Sequence, residues 1–188
     1  PDFCTGLNRK NSLKKQLLIF SLYLIVIFLC YPGLFLNFST HLIRGDMGDL
    51  KNMLGIISFS IKTSITQIYH LPIFYPLSFM LTQTHPIFGI SLIFKLLNFV
   101  GLSLVQSVNF YVILSLLLGA WGTFLLSKEF LRERSIFFPL LFSFIYIFHP
   151  LNHLHFVWLN FLSRFYIPFI FLFMIKYMKT SKKIYAFW

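Results

Sequence analysis

The chain has 188 residues, 57% hydrophobic and 20% aromatic, including 26 Phe, with a mean hydropathy of +0.78. A water-soluble domain of this size cannot hide so much apolar surface, so lipid must cover part of it. The long, uniform apolar runs also lack the alternation of barrel strands. The net charge of +11 does not indicate nucleic acid, because the basic residues cluster at the ends of apolar runs, where they orient a membrane protein, instead of forming one patch.

The expected fold is all-α: a polytopic transmembrane helical bundle with juxtamembrane helices in its first outer loop. Residues 1–15 form a basic cytoplasmic N-terminus with Arg9, Lys10, Lys14 and Lys15. Residues 16–35 have the length of a first span. No small-x-small cleavage site follows, so it is read as a retained anchor, ended or kinked by Pro32 and Gly33. The outer loop, 36–107, holds the segment 41–51 with Gly45-Asp46-Met-Gly48-Asp49, an amphipathic stretch over 53–68, and His70-Leu-Pro-Ile-Phe-Tyr-Pro76, an extended crossing along the surface. A glycosylation sequon at Asn37-Phe-Ser39 lies too close to the membrane to carry weight.

Residues 85–105 are long enough to span but contain Lys95, Asn98 and Gly101. Charge decides. With spans at about 16–35, 108–127, 135–150 and 163–178, eleven of the sixteen basic residues lie inside; if 85–105 also spans, seven of those eleven move outside. The segment is therefore placed on the outer side, with Lys95 snorkelling or facing a cavity. In 108–127, Gly119, Ala120 and Gly122 are small enough for helices to approach closely. Residues 16–183 form the N-terminal part of one transmembrane domain and 184–188 a truncated end. From Pro1 and the stop at Trp188 the chain is expected to be an N-terminal fragment. Cys4 and Cys30 form no disulfide framework.

In this topology Asp46 and Asp49 are the only carboxylate side chains outside. A spacing of three sets both on one side of a helical turn, and Gly45 and Gly48 allow close backbone approach to a ligand. One carboxylate could take a proton from a hydroxyl while the other orients the acceptor or holds a metal ion. The same string also reads as a solvated loop with a helix N-cap. All six histidines, His41, His70, His85, His149, His153 and His155, fall on the outer side or its edge. The His149–His155 stretch offers polar groups for a substrate pocket; a zinc site would require firmer spacing. Arg164 is costly in lipid unless it faces a cavity or an anion such as phosphate, or snorkels to the headgroups. No P-loop, GxGxxG or HExxH is present. An enzyme on the outer face lacks cytoplasmic nucleotide-activated donors, so its donor would be lipid-borne.

The order of features resembles the GT-C superfamily of membrane glycosyltransferases, in particular bacterial O-mannosyltransferase and lipopolysaccharide-modifying groups. The matching features are a first span, an outer loop opening with Gly45-Asp46-x-x-Asp49, His70–Pro76 and Thr84-His85-Pro-Ile-Phe-Gly89. After Asn109 opens the next span come Phe144-Ile-Tyr-Ile-Phe-His-Pro150, His153, Trp158 and Arg164-Phe-Tyr-Ile-Pro168. The resemblance implies sugar transfer from a polyprenyl-phosphate carrier to a glycan, lipid or protein acceptor on the outer face of the inner membrane. It implies Asp46 and Asp49 as catalytic residues and Arg44, His70, His85, His153, His155 and Arg164 as substrate-binding ones. Asp49 would be the ligand of a divalent cation, Mg or Mn, if one is used. Beyond membrane lipids and these substrates, no nucleic-acid partner is expected. The alternative is a non-catalytic transporter or lipid-binding assembly protein of the same architecture, which would tolerate an amide at both acidic positions.

Overall fold

The computed structural model describes residues 4–42, 47–63, 88–131, 135–149 and 163–181, and the regular structure among them is entirely helical. Helix α1 runs Cys4–Cys30, α2 Pro32–Leu36, α3 Met47–Lys62, α4 Phe88–Phe99, α5 Leu104–Leu131, α6 Phe137–Phe148 and α7 Tyr166–Thr180; one 3-10 turn, Ser163–Phe165, leads into α7.

Proline sets several of these boundaries. Pro32 opens α2, and Pro139 and Pro168 are third residues of α6 and α7. In a first turn the missing N–H costs no helical hydrogen bond. The residue before a proline is pushed out of the helical region. Accordingly α1 stops at Cys30, with Tyr31 at φ −131, ψ 56 before Pro32, and α6 stops at Phe148, with His149 at φ −58, ψ 126 before Pro150. The first apolar run thus breaks at Tyr31, where Pro32 and Gly33 are expected to end or kink it, and α6 ends at Phe148, short of the expected 150. At 12 residues, α6 is about 18 Å long, shorter than the ~30 Å core of a bilayer.

Glycine sets another boundary. The segment expected over 85–105 is helical over 88–99 and then closes in a Schellman turn. Gly101 takes φ 95, its N–H donates to the Asn98 carbonyl at 2.9 Å, and the Leu102 N–H donates to the Leu97 carbonyl at 3.1 Å. Two residues later α5 begins behind a reciprocal capping box, in which the Ser103 N–H donates to Gln106 Oε1 (2.8 Å) and the Gln106 N–H to Ser103 Oγ (3.3 Å). Of the amphipathic stretch expected over 53–68, residues 53–62 belong to α3, which starts earlier, at Met47, and 64–68 lie outside the described residues. Helix α3 closes at Thr63, whose N–H and hydroxyl both donate to the Phe59 carbonyl, at 3.1 and 3.0 Å.

Helix α5 is the axis of the fold. It touches α1, α2, α4, α6, α7 and the 3-10 turn. Tyr111, Val112, Leu116, Ala120 and Phe124 are buried around its circumference, as befits a helix apolar on all sides. Its 28 residues give it a length of about 42 Å, and among the described residues it is the helix long and apolar enough to cross a membrane. Its small residues are where neighbours arrive. The Tyr146 ring of α6 fills the space a Gly119 side chain would need, and a Cβ at Gly122 would lie 2.9 Å from the Phe169 ring and 3.1 Å from Pro168 Cβ. Ser143 and Thr123 bond their hydroxyls back to the carbonyls four residues earlier, Pro139 and Gly119, at 2.7 and 2.8 Å, which keeps them satisfied without water.

Helices α1 and α5 run antiparallel. Lys15 and Lys128 line one pocket, Phe20 meets Trp121 edge to face at 6.3 Å, and Asn109 bonds the chain just beyond α2. The chain between α1 and α5 therefore leaves and returns at the same end of the bundle, the end of Asn109. At the opposite end lie Lys14, Lys15, Lys128, Lys176 and Lys179, the last paired with Glu129 at 2.6 Å. The outward faces of α1, α6 and α7 are apolar, with Leu18, Ile25 and Leu29, Phe137, Phe142 and Ile145, and Phe171, Met174 and Met178 all exposed.

Candidate functional site

Asn109 organises the end of the bundle where the outer loop begins. It is 1% exposed, and its amide nitrogen donates to the carbonyls of Phe38 at 3.0 Å and His41 at 2.8 Å. Beside it, Gln106 Nε2 reaches Ser39 Oγ at 3.0 Å, and the Thr40 hydroxyl pairs with His41 Nδ1 at 2.8 Å. The segment 38–41 is thus tied to the first two turns of α5. Asn109 Oδ1 and Ser107 Oγ are buried with no hydrogen-bond partner among the described residues, so unspent polar capacity remains under the segment that leads to Asp46. From His41 to Asp46 the chain can reach at most about 18 Å.

Of the residues expected to act, Arg44, Asp46, His70, His85, His153 and His155 lie outside the described residues. Asp49 is described through its backbone, which sits in the first turn of α3. Arg164 is described fully. It is half-buried in the 3-10 turn, which packs on α5, and it lies within electrostatic reach of Tyr146. Tyr111, also close to Tyr146, is buried on α5 and packs on Phe94 of α4 with ring centroids 5.5 Å apart. Because Pro168 and Phe169 pack on Gly122, the turn holding Arg164 is level with the middle of α5, about 15 Å along the axis from Asn109. The helix α7 is only 15 residues long and so starts deep in the bundle. The Tyr31 hydroxyl closes the neighbouring gap by donating to the Ile147 carbonyl at 3.2 Å.

Lys95, expected to snorkel or face a cavity, has a protein partner. It donates to the carbonyl of Thr63, just past the end of α3, where the helix dipole favours a cation. This bond joins α4 to α3, and Phe94 on the next position joins α4 to α5. An apolar groove of about 540 Å³ runs between α1, α2 and α5, lined by Phe20, Leu24, Phe35, Phe38, Phe110 and Ile113; its upper edge, Phe38, carries one of the carbonyls held by Asn109. Among the described residues no group of three His, Cys, Asp or Glu could hold a metal ion, and the side chain of Asp49, the expected ligand, is not among them.

The role of Asn109 is not marked by any local pattern, since a polar residue at the head of an apolar helix reads as a boundary. Ser103-x-x-Gln106, by contrast, carries a recognisable helix-start signal, and it marks the boundary between outer segment and central helix directly. No family model, no curated protein and no solved structure matches this chain.

Proposed function

We propose that the chain forms part of a multi-pass membrane glycosyltransferase of GT-C type, moving a sugar from a polyprenyl-phosphate donor to an acceptor on the outer face of the inner membrane. The observation that carries this reading is Arg164. An arginine half-buried in the turn that leads into an apolar helix suits an anion, and the phosphate of a lipid-borne donor is one. The apolar outward faces of α1, α6 and α7 support several membrane crossings. The antiparallel α1 and α5 support a loop 36–107 that adds no net crossing. The lysines collected at the other end support an inside orientation for the N-terminus.

In this reading Asp46 removes the proton of the acceptor hydroxyl. The acceptor oxygen attacks the anomeric carbon, and the bond from that carbon to the phosphate oxygen breaks. Asp49 orients the acceptor, or is the residue that would hold a divalent cation. Arg164, with His153 and His155, binds the polyprenyl phosphate as its negative charge grows, and Arg44, His70 and His85 line the sugar and acceptor side. Asn109 holds the start of the acidic segment on the bundle.

The test is sugar transfer from a labelled polyprenyl-phosphate-sugar pool by the full-length protein in membranes. Asp46→Asn is expected to lower the rate by about 10²–10⁴-fold at normal expression. Arg164→Gln should weaken donor use. Transfer at wild-type rates in both Asp46→Asn and Asp49→Asn would refute the catalytic assignment. Donor binding without transfer in the wild-type protein would favour the binding or transport alternative.

A further inference from the structure

At the end of the bundle opposite Asn109, a small pocket of about 100 Å³ is lined by Lys15, Gln16 and Ile19 from α1, Trp121, Phe124, Leu125 and Lys128 from α5, and Ile136 before α6. Lysines from two helices, both exposed, therefore line one cavity. Neither Lys15 nor Lys128 has an ion-pair or hydrogen-bond partner among the described residues, whereas Lys179 nearby is engaged with Glu129. Gln16 brings an amide to the same cavity, likewise without a partner among the described residues. Like charges placed together repel, and the arrangement becomes favourable when an anion sits between them. The volume is about that of three liquid waters, enough for a phosphate group and too small for a sugar chain. Trp121, stacked on Phe124 at 5.7 Å and edge-on to Phe20 at 6.3 Å, forms the apolar wall, an arrangement suited to the interface between headgroup and acyl chain.

We infer that this pocket binds the phosphate of an anionic phospholipid headgroup, bridging Lys15 of α1 to Lys128 of α5 and tying the first helix to the central one. The lipid is favoured over a soluble phosphate because Ile136 at the pocket is exposed and Leu17 and Leu18, next to Gln16 on α1, are exposed apolar side chains against which acyl chains would lie. The site is independent of the glycosyltransferase reading and lies at the other end of the molecule from its proposed chemistry.

The full chain, purified in mild detergent, is titrated with phosphatidylglycerol, phosphatidylcholine or inorganic phosphate while its melting temperature is followed. Phosphatidylglycerol is expected to raise the melting temperature saturably and phosphatidylcholine to leave it unchanged. In Lys15→Gln/Lys128→Gln the midpoint of the titration should rise roughly 25-fold, with each single substitution giving about five-fold. Lys15→Arg/Lys128→Arg keeps the charges and should titrate close to wild type, which separates loss of the ligand from loss of folding. Lys62→Gln, an exposed lysine at the far end of α3, should also titrate as wild type. An equal response to phosphatidylcholine, an unchanged midpoint in the double glutamine variant, or an equal loss in Lys62→Gln would overturn the site. A response to inorganic phosphate matching that of the lipid would overturn the lipid assignment in favour of a soluble anion.

Discussion

The ring of Tyr146 occupies the space beside Gly119 that any other residue would fill with its Cβ. This contact sets the C-terminal turn of α6 against the middle of α5, so the chain leaves α6 at His149 halfway along the central helix. The turn bearing Arg164 packs on α5 near the same level, and Arg164 and Tyr146 lie within electrostatic reach of each other.

Gly119→Ala forces the Tyr146 ring to move. Overpacking of this kind costs about 1–3 kcal/mol, against which the better helix propensity of alanine returns up to about 1 kcal/mol. A net loss of stability is expected in denaturant titrations of the micelle-bound protein. The loss should shrink in a Tyr146→Leu background, because the two residues act through one contact.

Asn109→Leu removes the donor shared by the Phe38 and His41 carbonyls. Leaving partly buried carbonyls unpaired costs about 1–3 kcal/mol. Asn109→Asp should be worse, since a carboxylate would face two carbonyl oxygens. Amide exchange across 37–42 is the measurement, and it should accelerate in both variants more than exchange in the middle of α5.

Tyr31→Phe deletes the hydrogen bond to the Ile147 carbonyl. At 3.2 Å that bond is long for a hydroxyl donor, so the cost should fall in the lower part of the usual range, about 0.5–1 kcal/mol. A melting-temperature comparison at equal detergent concentration checks it. A much larger loss would mean that Tyr31 contributes through ring packing as well.

The Lys179–Glu129 pair is short, at 2.6 Å, yet its side chains remain 35% and 31% exposed. Solvent screening and side-chain entropy limit such a pair to at most about 1 kcal/mol. A double-mutant cycle on Lys179→Met and Glu129→Gln should give a coupling below that value. The coupling should fade near 1 M salt, where the Debye length is about 3 Å.

Asp46 and Asp49 could be singled out from the sequence alone, because acidic residues are scarce and these two follow the first apolar run. Arg164 stood out in the same way, as a charge in an apolar segment. How deep Arg164 lies was not legible, since it depends on Pro168 and Phe169 meeting Gly122 on another helix. Nor was the partner of Lys95, which lies 32 residues away at Thr63, or that of Asn109, 68 residues away at His41.

The sequence by itself determined the all-helical class, the break at Pro32, the close-approach points at Gly119 and Gly122, and the segregation of lysines to segment ends. These follow from apolar run length, the steric demands of proline, the missing glycine side chain and charge in a low-dielectric phase, all readable within a few residues. Only the tertiary structure decided which helix each small residue receives, which carbonyl each buried amide or ammonium satisfies, and how far into the bundle Arg164 lies. Those outcomes depend on how short helices dock along α5, and docking is settled by packing between segments that no local pattern brings together.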